Sequence, residues 1–374
     1  MLRISINPQW ALEAQDETAH PLDRTLKLLG AIKDEGNLFR GARRMGMSYR
    51  HAWGTIRDAG RVFGAPLLEM SRGRGAVLTP LGEKLLWADK RVWARLAPVL
   101  DSLASELHAE IERAASENAP ILRVHASHGF AIELLRDFLS RGRVSVDLKY
   151  RGSMEALASL AAGDCDMAGF HVPQGELQGA VLKFYTKWLK PDGHTLVNLA
   201  TRRQGIFLAR GNPKRILSLA DLGRPDVRFV NRQLGSGTRI LLDLLLKRVN
   251  LESREIRGYD TGESTHSGVA AYVASGLADA GFGVETAARA FDLDFIPVAS
   301  ARYFLICEDD ALTSPLVTRI LEVMTGSAFR AAAGKLVGVD VTYAGTVMRI
   351  PEAFPELAPR RKKPAGREVR SRTS

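Results

Sequence analysis

The chain has 374 residues, of which 45% are hydrophobic, 7% aromatic and 25% charged. This length predicts two or three domains, and the composition is typical of a soluble globular protein. The N-terminus lacks the pattern of a secretory signal, and no apolar stretch approaches the ~20 residues of a membrane span, so no membrane partner is predicted. The two cysteines, Cys165 and Cys307, cannot build a disulfide framework. This favours a location in the reducing cytoplasm.

The net charge of +10 is concentrated in two short regions. Residues 40–74 carry eight arginines and two acidic residues, a net charge of +6, and the last fifteen residues also carry +6. Arginine suits bidentate contacts with phosphate and guanine, so the first region predicts a DNA-binding surface, although a solvated helix face can carry the same charge. Residues 351–374 are predicted to be a disordered basic tail, because their basic run has no apolar periodicity.

Residues 1–115 are predicted to form a mainly helical domain. A strand over residues 2–12 precedes a first helix, and two short helices joined by a glycine turn follow. The residues predicted to begin or end these helices are Asp23, Gly36, Asn37, Gly46 and Ser48. Two short helices joined in this way are the sequence form of a helix-turn-helix.

The second helix of this motif is predicted to enter the major groove of DNA. Its apolar positions Ala52, Ile56 and Ala59 face inward, which leaves a polar and basic face for the nucleic acid. A hairpin tipped by SRGRG follows and is predicted to be a basic wing. The predicted DNA-binding residues are Arg43, Arg44, Ser48, Tyr49, Arg50, Trp53, Arg57, Arg72 and Arg74.

A long amphipathic helix completes this domain. An apolar stripe on a lone terminal helix most simply packs against its copy in a second subunit, so a homodimer is predicted and its pairing into tetramers is left open. The apolar positions are Leu81, Leu85, Leu86, Val92, Trp93, Leu96, Val99, Leu100, Leu103 and Leu107. Residues 116–120 are the predicted linker to the second domain.

In residues 121–350, strands alternate with helices, which predicts βαβ units around a parallel sheet. The expected strands are ILRVHAS, VSVDLKY, CDMAGFHV, VRFVN, IRGY and ADAGFGV. Two extended segments, TRRQGIFLARGNP and ARYFLICEDD, are predicted to cross between two lobes. Lobe I takes about residues 121–200 and 304–350, and lobe II takes about 201–303. The predicted fold class is an α/β multidomain protein with an N-terminal winged helix-turn-helix and a two-lobed C-terminal domain.

Ligands of open α/β sheets bind where strands end and helices begin, and four such junctions carry small polar residues. Each offers backbone N–H groups, a positive helix end and a hydroxyl, which together suit an oxyanion. One such turn is usually only a helix cap, but four, two in each half, indicate a binding cleft. The predicted ligand-binding residues are Ser127, His128, Gly152, Ser153, Ser236, Gly237, Thr238, Arg239, Thr265, His266 and Ser267. Arg202, like Arg239, is a candidate for the positive charge.

The sequence predicts neither catalytic residues nor a metal site. Ser236 lies in LGSGT rather than in a Gly-x-Ser-x-Gly elbow, and His125 is interpreted as structural. The eight histidines are scattered, with no carboxylate pattern to complete a metal site. No Gly-x-Gly-x-x-Gly follows a strand and no lysine-bearing phosphate loop is present, so no cofactor is predicted.

Residues 24–100 resemble the DNA-binding domain of bacterial molybdate-responsive regulators, which is akin to the winged helix of the LysR family. The residues that carry this resemblance are GNLFRGARRMGMSYRHAWGTI and, from the wing onward, GRGAVLTPLGEKLL. The resemblance implies dimerisation through the first and the long last helices, and a palindromic operator in double-stranded DNA.

Residues 121–345 resemble the type II periplasmic-binding-protein-like domain found in cytoplasmic regulators and beside molybdopterin-biosynthesis proteins. The matching signatures are FVNRQLGSGTRILLD, GYDTGESTHSGVAAYVASGLADAGFGV and LAAGDCDMAGFHVP. The resemblance implies a small oxyanion effector between the lobes, either molybdate or tungstate. This domain takes the place of the small β-barrel ligand modules that molybdate-responsive regulators usually carry.

These patterns predict a cytoplasmic one-component transcriptional regulator that is not an enzyme. Ligand binding would close the lobes and shift the spacing of the paired DNA-binding domains. One alternative is the same regulator with a small organic anion such as formate, which would need a fixed arginine in the cleft. Others are a pure binding or transport protein, and a binding protein or enzyme of molybdenum-cofactor assembly.

Overall fold

The computed structural model describes residues 4–13, 19–71, 75–116, 120–142 and 144–358. An N-terminal helix-turn-helix domain precedes a larger, two-lobed α/β domain, which confirms the predicted fold class. Within the described ranges, none of the helices combines the length and the apolar character needed to cross a membrane.

The N-terminal domain combines helices with two short antiparallel hairpins. Its elements are β1 (Ala11–Glu13), β2 (Ala19–Pro21), α1 (Asp23–Glu35), α2 (Leu38–Arg44), α3 (Tyr49–Val62), β3 (Leu68–Ser71), β4 (Gly75–Leu78) and α4 (Pro80–Ala115). The strand predicted over residues 2–12 is wrong for residues 4–10, which are irregular. Pro8 lies within that stretch and has no N–H to donate to a sheet.

Local side-chain hydrogen bonds define the helix-turn-helix. Asn37 accepts hydrogen bonds from two backbone N–H groups of α2 and Ser48 from one of α3, which confirms both predicted caps. Gly36 and Gly46 have φ angles of 63° and 66°, the left-handed region that glycine enters without strain, where α1 and α2 end. Asp23 is the first residue of α1 rather than its predicted cap, because its carboxylate pairs with a lysine one turn along the helix.

The helices of this domain enclose one apolar core, to which the start of α4 contributes. Ala52, Ile56 and Ala59 of α3 are buried there with Leu29 and Leu86, which confirms the inward face predicted for α3. The long helix α4 has 36 residues and continues past this core to the second domain. Residues 117–119 of the predicted linker lie outside the described part of the chain.

The apolar stripe predicted on α4 faces several neighbours, so it is not reserved for a second subunit. Leu85 and Leu86 belong to the core of the N-terminal domain, and the partly buried Leu81 packs against it. Trp93 and Leu100 line a cavity against lobe I. The exposed remainder comprises Val92, Leu96, Val99, Leu103 and Leu107. A helix of this length turns different residues toward each domain that it passes, so one stripe cannot serve a single partner.

The first half of the second domain alternates strands and helices as predicted. Its elements are β5 (Ile121–Ala126), α5 (Phe130–Arg141), β6 (Ser145–Tyr150), α6 (Ser153–Ala161), β7 (Met167–Pro173), α7 (Gln178–Leu182) and the long β8 (His194–Leu208). The strands β5, β6 and β7 are parallel. Together with the helices that cover them, they form lobe I.

The second half builds lobe II and then returns to lobe I. Its elements are β9 (Phe229–Arg232), α8 (Gly237–Arg248), β10 (Gly262–Glu263), α9 (His266–Ala274), β11 (Ala280–Val284), α10 (Glu285–Ala290), β12 (Asp294–Glu308), α11 (Pro315–Thr325), α12 (Ser327–Ala333), β13 (Val339–Asp340), β14 (Val347–Arg349) and α13 (Ile350–Ala353). The strand predicted at IRGY is wrong, because Gly258 makes a tight turn there with a φ of 90°.

A single ten-stranded sheet runs through both lobes in the order β10-β9-β11-β8-β12-β7-β5-β6, with β13 and β14 also pairing with β8. The strands β8 and β12 have 15 residues each and pair antiparallel along their length. This confirms the predicted pair of crossing strands. Because both strands belong to both lobes, side chains at their middle lie on the floor of the cleft between the lobes.

The C-terminal segment is ordered further than predicted. Residues 351–358 continue α13 and form a 3-10 turn, and Phe354 is fully buried. Its ring packs edge-to-face on Phe304, with ring centroids 5.4 Å apart, so the prediction of a disordered tail from residue 351 is wrong over this stretch. The buried aromatic ring supplies apolar contact before the basic run begins. Residues 359–374 lie outside the described residues.

Candidate functional site

A cavity of about 480 Å³ lies between the two lobes and is closed on one side by α4. The strand-to-helix junctions of lobe I and lobe II face each other across it, and β8 crosses its floor. The predicted ligand-binding residues that line it are Ser127, His128, Gly152, Ser236, Gly237, Thr238 and His266. The structure therefore brings junctions from both lobes together, while the ligand-binding role of these residues stays a prediction.

Four residues of the predicted set lie outside the lining of this cavity: Ser153, Arg239, Thr265 and Ser267. The Ser153 hydroxyl lies behind Ser127, with 3.3 Å between the two Oγ atoms. The Arg239 guanidinium turns away, donates to a backbone carbonyl and stacks on the Tyr259 ring at 4.0 Å. Ser267 lines a separate cavity beside α10. Successive residues of a helix point in different directions, so only part of each junction can face one cavity.

Two buried guanidinium groups supply the positive charge of the cavity. Arg202, on β8, and Arg232, at the end of β9, are each 7% exposed. Arg202 Nη1 lies 3.4 Å from His266 Nε2, and its Nε has no partner among the described residues. Arg232 donates to the carbonyl oxygens of Glu263 and Ser264 at 3.2 and 2.8 Å.

Neither guanidinium has a carboxylate partner in the described part of the chain; their hydrogen-bonding neighbours are neutral. Burial lowers the pKa of Arg202 to about 10. Burial and then the charge of Arg202 lower the pKa of Arg232 to about 9. Both groups stay charged at neutral pH, and buried charges are normally paired. The arrangement therefore suits an anionic ligand.

Two neutral imidazoles lie beside these arginines. Burial, followed by the charges of Arg202 and Arg232, holds the pKa of His171 and His266 well below the usual value. Both ring nitrogens of His171 and Nδ1 of His266 have no hydrogen-bond partner among the described residues. A neutral imidazole can donate one hydrogen bond, so each ring can serve as a donor to an anion.

The first residues of α8 and α9 are held by caps and close packing. Ser236 Oγ accepts from the Arg239 N–H at 3.2 Å, which leaves its own O–H free to donate.

Gly283, on β11, leaves space for the His266 ring. A Cβ at Gly283 would lie 2.5 Å from the Phe207 ring and 2.9 Å from His266 Nδ1. Only glycine therefore leaves room for the His266 ring at its place in the cavity wall.

His128 lines the cavity but already has a partner. Its Nε2 lies 2.8 Å from Glu133 Oε1, and its ring packs edge-to-face on Tyr150. His125 lies on β5 and is not among the residues that line the cavity. Among the described residues, no group of three or more His, Cys, Asp and Glu side chains could hold a metal ion.

Sequence reasoning missed Arg232 and His171, and it did not connect α4 with the ligand site. Both residues follow strand-like runs, FVN and MAGF, whose pattern predicts a strand and no ligand contact. The usable signal was their position near the carboxyl ends of strands, where open α/β sheets place ligands.

The predicted DNA-binding residues form one exposed face on α3 and the end of α2. Trp53 is 36% and Tyr49 46% exposed. Arg44 is partly neutralised by Asp34, 3.0 Å away, whereas Arg50 forms no ion pair with another described residue. The other exposed members of this face are Arg43, Ser48 and Arg57. The wing residues Arg72 and Arg74 lie outside the described residues.

Family comparisons agree with this architecture. Residues 136–325 match the model of the PBP superfamily domain, and residues 24–83 match that of the bacterial regulatory helix-turn-helix protein, lysR family. The first match spans half of the chain, so the chain belongs to the PBP superfamily. The two matches together describe a LysR-type transcriptional regulator with an effector-binding domain of the PBP type.

Individual relatives are more distant. The chain is 28% identical over 246 residues to the uncharacterized protein YvgK of Bacillus subtilis (strain 168), which covers 66% of this chain and 79% of that protein. It is 34% identical over 114 residues to the molybdenum-pterin-binding protein MopB of Rhodobacter capsulatus, covering 29% of this chain and 40% of that protein. The crystal structure of CbnR, a LysR family transcriptional regulator, aligns with 21% identity and a TM-score of 0.36, covering 80% of this chain and 98% of CbnR.

Proposed function

We propose that the protein is a cytoplasmic one-component regulator that binds a palindromic operator and senses molybdate or tungstate in the interlobe cavity. The observation that carries the effector proposal is the pair of buried guanidinium groups, Arg202 and Arg232, with no carboxylate partner among the described residues. A dianion would neutralise both charges. The partial similarity to a molybdenum-pterin-binding protein supports a molybdenum oxyanion.

The groups around the two arginines are mostly hydrogen-bond donors. The Ser236 hydroxyl and the imidazoles of His171 and His266 line the same cavity as the guanidinium groups. Such donors suit a fully deprotonated oxyanion, which has no proton to give. The start of α8 adds a positive helix end at the cavity wall.

Titration calorimetry of the purified full chain with molybdate, tungstate, sulfate and formate in one buffer tests this proposal. We expect molybdate or tungstate to bind with a dissociation constant of about 1 µM or tighter. Sulfate is expected to show no binding in the same titration. If neither molybdate nor tungstate binds, the proposed effector is overturned.

A small organic carboxylate such as formate is the second candidate effector. The observation that favours it is the presence of fixed, buried guanidinium groups, since arginine binds carboxylates in a bidentate manner. The cavity of about 480 Å³ also has room for more than a tetrahedral oxyanion. Formate binding without molybdate binding in the same titration would establish this alternative.

For DNA binding, we propose that α3 enters the major groove, with Ser48, Tyr49, Arg50 and Trp53 near bases or phosphates. The exposed arginines of α2 and α3 supply phosphate contacts. Selection of bound fragments from random duplex DNA should return a palindrome, and the affinity should fall steeply with salt because counterions are released. Fragments without a shared sequence would contradict operator recognition.

We also propose a homodimer that pairs through the exposed apolar face of α4. The face consists of Val92, Leu96, Val99, Leu103 and Leu107, spaced three or four residues apart. Val99 and Leu103 also line the interlobe cavity. Leu96→Glu should convert the dimer to a monomer in sedimentation velocity, whereas the exposed Lys84→Glu on the same helix should not. A monomeric wild-type protein at micromolar concentration would contradict this proposal.

A further inference from the structure

The long helix of the DNA-binding domain forms one wall of the ligand cavity. Arg95, Pro98, Ser102 and Glu106 of α4 line it together with the junctions of both lobes. The helix therefore spans the cleft, and each lobe holds it by a different set of contacts. The contacts with lobe II involve residues 263–266, which lead into α9 and the cavity.

Lobe I holds α4 along β6, the last strand on one side of its sheet. Ser105 Oγ donates to the Val146 carbonyl at 2.9 Å and accepts from the Leu148 N–H at 2.7 Å. Ser102 Oγ accepts from the Tyr150 N–H at 3.1 Å. These bonds attach the middle of α4 along β6, the edge strand of lobe I.

Lobe II holds α4 at a gap in the helix's own hydrogen bonding. Proline has no N–H, so Pro98 leaves the carbonyl of Ala94, four residues earlier, without its intrahelical partner. The Thr265 hydroxyl donates to that carbonyl at 2.8 Å in a buried position. Thr265 also caps α9 by accepting from the Gly268 N–H at 2.7 Å, so one side chain connects both helices.

A second contact joins the next residue of α4 to a residue two positions before Thr265. Arg95 Nε donates to both carboxylate oxygens of Glu263 at 3.0 and 2.9 Å, and Nη2 adds a third bond. Glu263 is 2% exposed, whereas the Arg95 side chain is about half exposed. Removing Arg95 would leave a buried carboxylate without a charged partner, so this ion pair favours the docked position of α4.

The same short segment is attached to the proposed anion site. The Arg232 guanidinium holds the carbonyl oxygens of Glu263 and Ser264, and His266 lies 3.4 Å from the Arg202 guanidinium. Residues 263–266 therefore contact the two buried arginines on one side and α4 on the other.

We propose that residues 263–266 act as a clamp that grips α4 more tightly when an anion occupies the cavity. This inference rests on the proposed anion-sensing function. Arg95, Arg202 and Arg232 all line the cavity. Glu263 offsets the charge of Arg95, whereas the like charges of Arg202 and Arg232 repel each other without an anion. A bound anion attracts all three and so favours the position of α4 in which Arg95 faces the cavity. By linkage, docking of α4 then strengthens anion binding.

The clamp assigns a positioning role to Arg95 and Thr265, which connect the ligand to the DNA-binding domain. Because α4 begins in the core of the helix-turn-helix domain, a tighter grip by lobe II restricts how that domain can turn relative to the cleft. The DNA-binding face and the anion site would then be coupled through one continuous helix.

Hydrogen–deuterium exchange of the full chain, with and without saturating sodium molybdate, tests the clamp. Amides of α4 between residues 94 and 102 should exchange about fivefold more slowly with molybdate in the wild type. Arg95→Met should lose most of this slowing, whereas Arg91→Met, one turn earlier on the same helix, should keep it. Equal slowing in both variants would overturn the proposal.

Thr265→Val and Thr265→Ser form a second matched pair. Valine removes the hydroxyl that binds the Ala94 carbonyl, so molybdate should no longer slow exchange in α4. Serine retains the hydroxyl and should behave as the wild type does. Loss of the effect in both variants would point to general loosening of α9, and would contradict the specific role of this hydrogen bond.

Failure of the effector proposal and failure of the clamp give different results. If calorimetry shows that neither molybdate nor tungstate binds the wild type, the proposed effector is overturned. The clamp is then tested by hydrogen–deuterium exchange of the ligand-free variants. In that experiment, the amides of α4 should exchange about fivefold faster in Arg95→Met than in Arg91→Met. Unchanged exchange there would overturn the clamp as well.

Discussion

Arg202 and Arg203 are neighbours on β8, yet their guanidinium groups lie in opposite environments. Arg203 Nε is 2.7 Å from Glu285 Oε2, and its side chain is half exposed. Arg202 is buried in the cavity wall and has no carboxylate partner among the described residues. Side chains alternate across a strand, so adjacent arginines face opposite sides of the sheet. One stabilises the fold, and the other is available to a ligand.

Replacing Arg202 by methionine should stabilise the ligand-free protein and impair anion binding. The change removes an unpaired buried charge and keeps most of the side-chain volume, so the free energy of unfolding should rise by about 1–3 kcal/mol. The molybdate dissociation constant should rise by about tenfold or more, because a charge-assisted contact is lost. Urea unfolding and titration calorimetry measure the two effects.

Arg203→Met is the matched control for this variant. Among the described residues, it leaves the buried Glu285 carboxylate with Arg289 as its one charged partner, 3.2 Å away, so the free energy of unfolding should fall. Molybdate affinity should stay at the wild-type value. If Arg202→Met destabilised the protein as strongly as Arg203→Met, Arg202 would have a structural role and its assignment to the anion site would be wrong.

Because His171 and His266 can take up protons when an anion binds, we expect anion affinity to rise as the pH falls from about 8 to about 6. Both imidazoles are neutral in the ligand-free protein because burial and the two arginines depress their pKa. A bound anion offsets the positive charges and raises the pKa of both rings, so binding takes up protons. The dissociation constant should fall by up to about tenfold per pH unit for each proton taken up.

Calorimetry in buffers of different ionisation enthalpy measures this proton uptake directly. Without ligand, the same depressed pKa values act on folding. The unfolded chain protonates these histidines below about pH 6.5 and the folded chain does not, so stability falls as the pH falls through that value. A molybdate affinity that does not change with pH would show that neither imidazole takes up a proton when the anion binds.

At the scale of single residues, the sequence predicted the small polar residues that line the cavity better than its charged residues. Ser236 and His266 could be predicted because they follow strand-like runs and begin helices. Arg232 ends a buried strand, where an arginine is as readily interpreted as an edge residue. Arg239, which lies in the same LGSGTR motif as Ser236, turns away because the next residues of a helix face elsewhere.

Gly30 and Gly41 contrast an open helix position with a close helix crossing. A Cβ at Gly30, on α1, would lie 3.6 Å from the Leu86 side chain, which is ordinary contact. A Cβ at Gly41, on α2, would lie 3.0 Å from the backbone nitrogen of Ile32, so α1 and α2 would have to separate.

Gly30→Ala should therefore raise the free energy of unfolding by about 0.5–1 kcal/mol, because alanine loses less backbone freedom on folding. Gly41→Ala should lower it, since the close packing of α1 and α2 would be disturbed. Urea unfolding of both variants measures the difference. Equal stabilisation by both substitutions would contradict the close approach at Gly41.

Most elements of the second domain could be predicted because strand and helix periodicities alternate at short intervals. The failures occurred where one residue type has two interpretations. Pro8 and Gly258 interrupt stretches that otherwise alternate like strands, and Asp23 suits either a cap or the first turn of a helix. The order of residues 351–358 depends on a long-range contact of Phe354, which local sequence does not contain.

The two domains of the whole molecule should separate its two binding activities. Arg50→Ala removes a cation from the exposed face of α3 and should weaken operator binding by about tenfold, with molybdate affinity unchanged. Ser236→Ala removes a hydroxyl from the cavity and should weaken molybdate binding, while operator affinity without ligand is unchanged. Fluorescence anisotropy with operator DNA and calorimetry with molybdate measure the two. Loss of both activities in either variant would contradict the division into domains.

The path of α4 could not be predicted at the scale of the whole molecule. Its heptad-like apolar stripe indicated one partner, another copy of itself. The polar contacts of Ser102, Ser105 and Arg95 with the second domain join residues that lie far apart in sequence. Such pairs leave no periodic signal, because each is a single hydrogen bond or ion pair.

The serines on α4 also bear on how this protein can be divided experimentally. Ser102 and Ser105 complete the backbone hydrogen bonds of β6, which is the last strand on one side of the ten-stranded sheet. A fragment that begins at residue 120 would leave that strand with unpaired N–H and C=O groups, a template for pairing with another chain. Isolated effector fragments should therefore self-associate edge to edge, and a monodisperse fragment should retain α4.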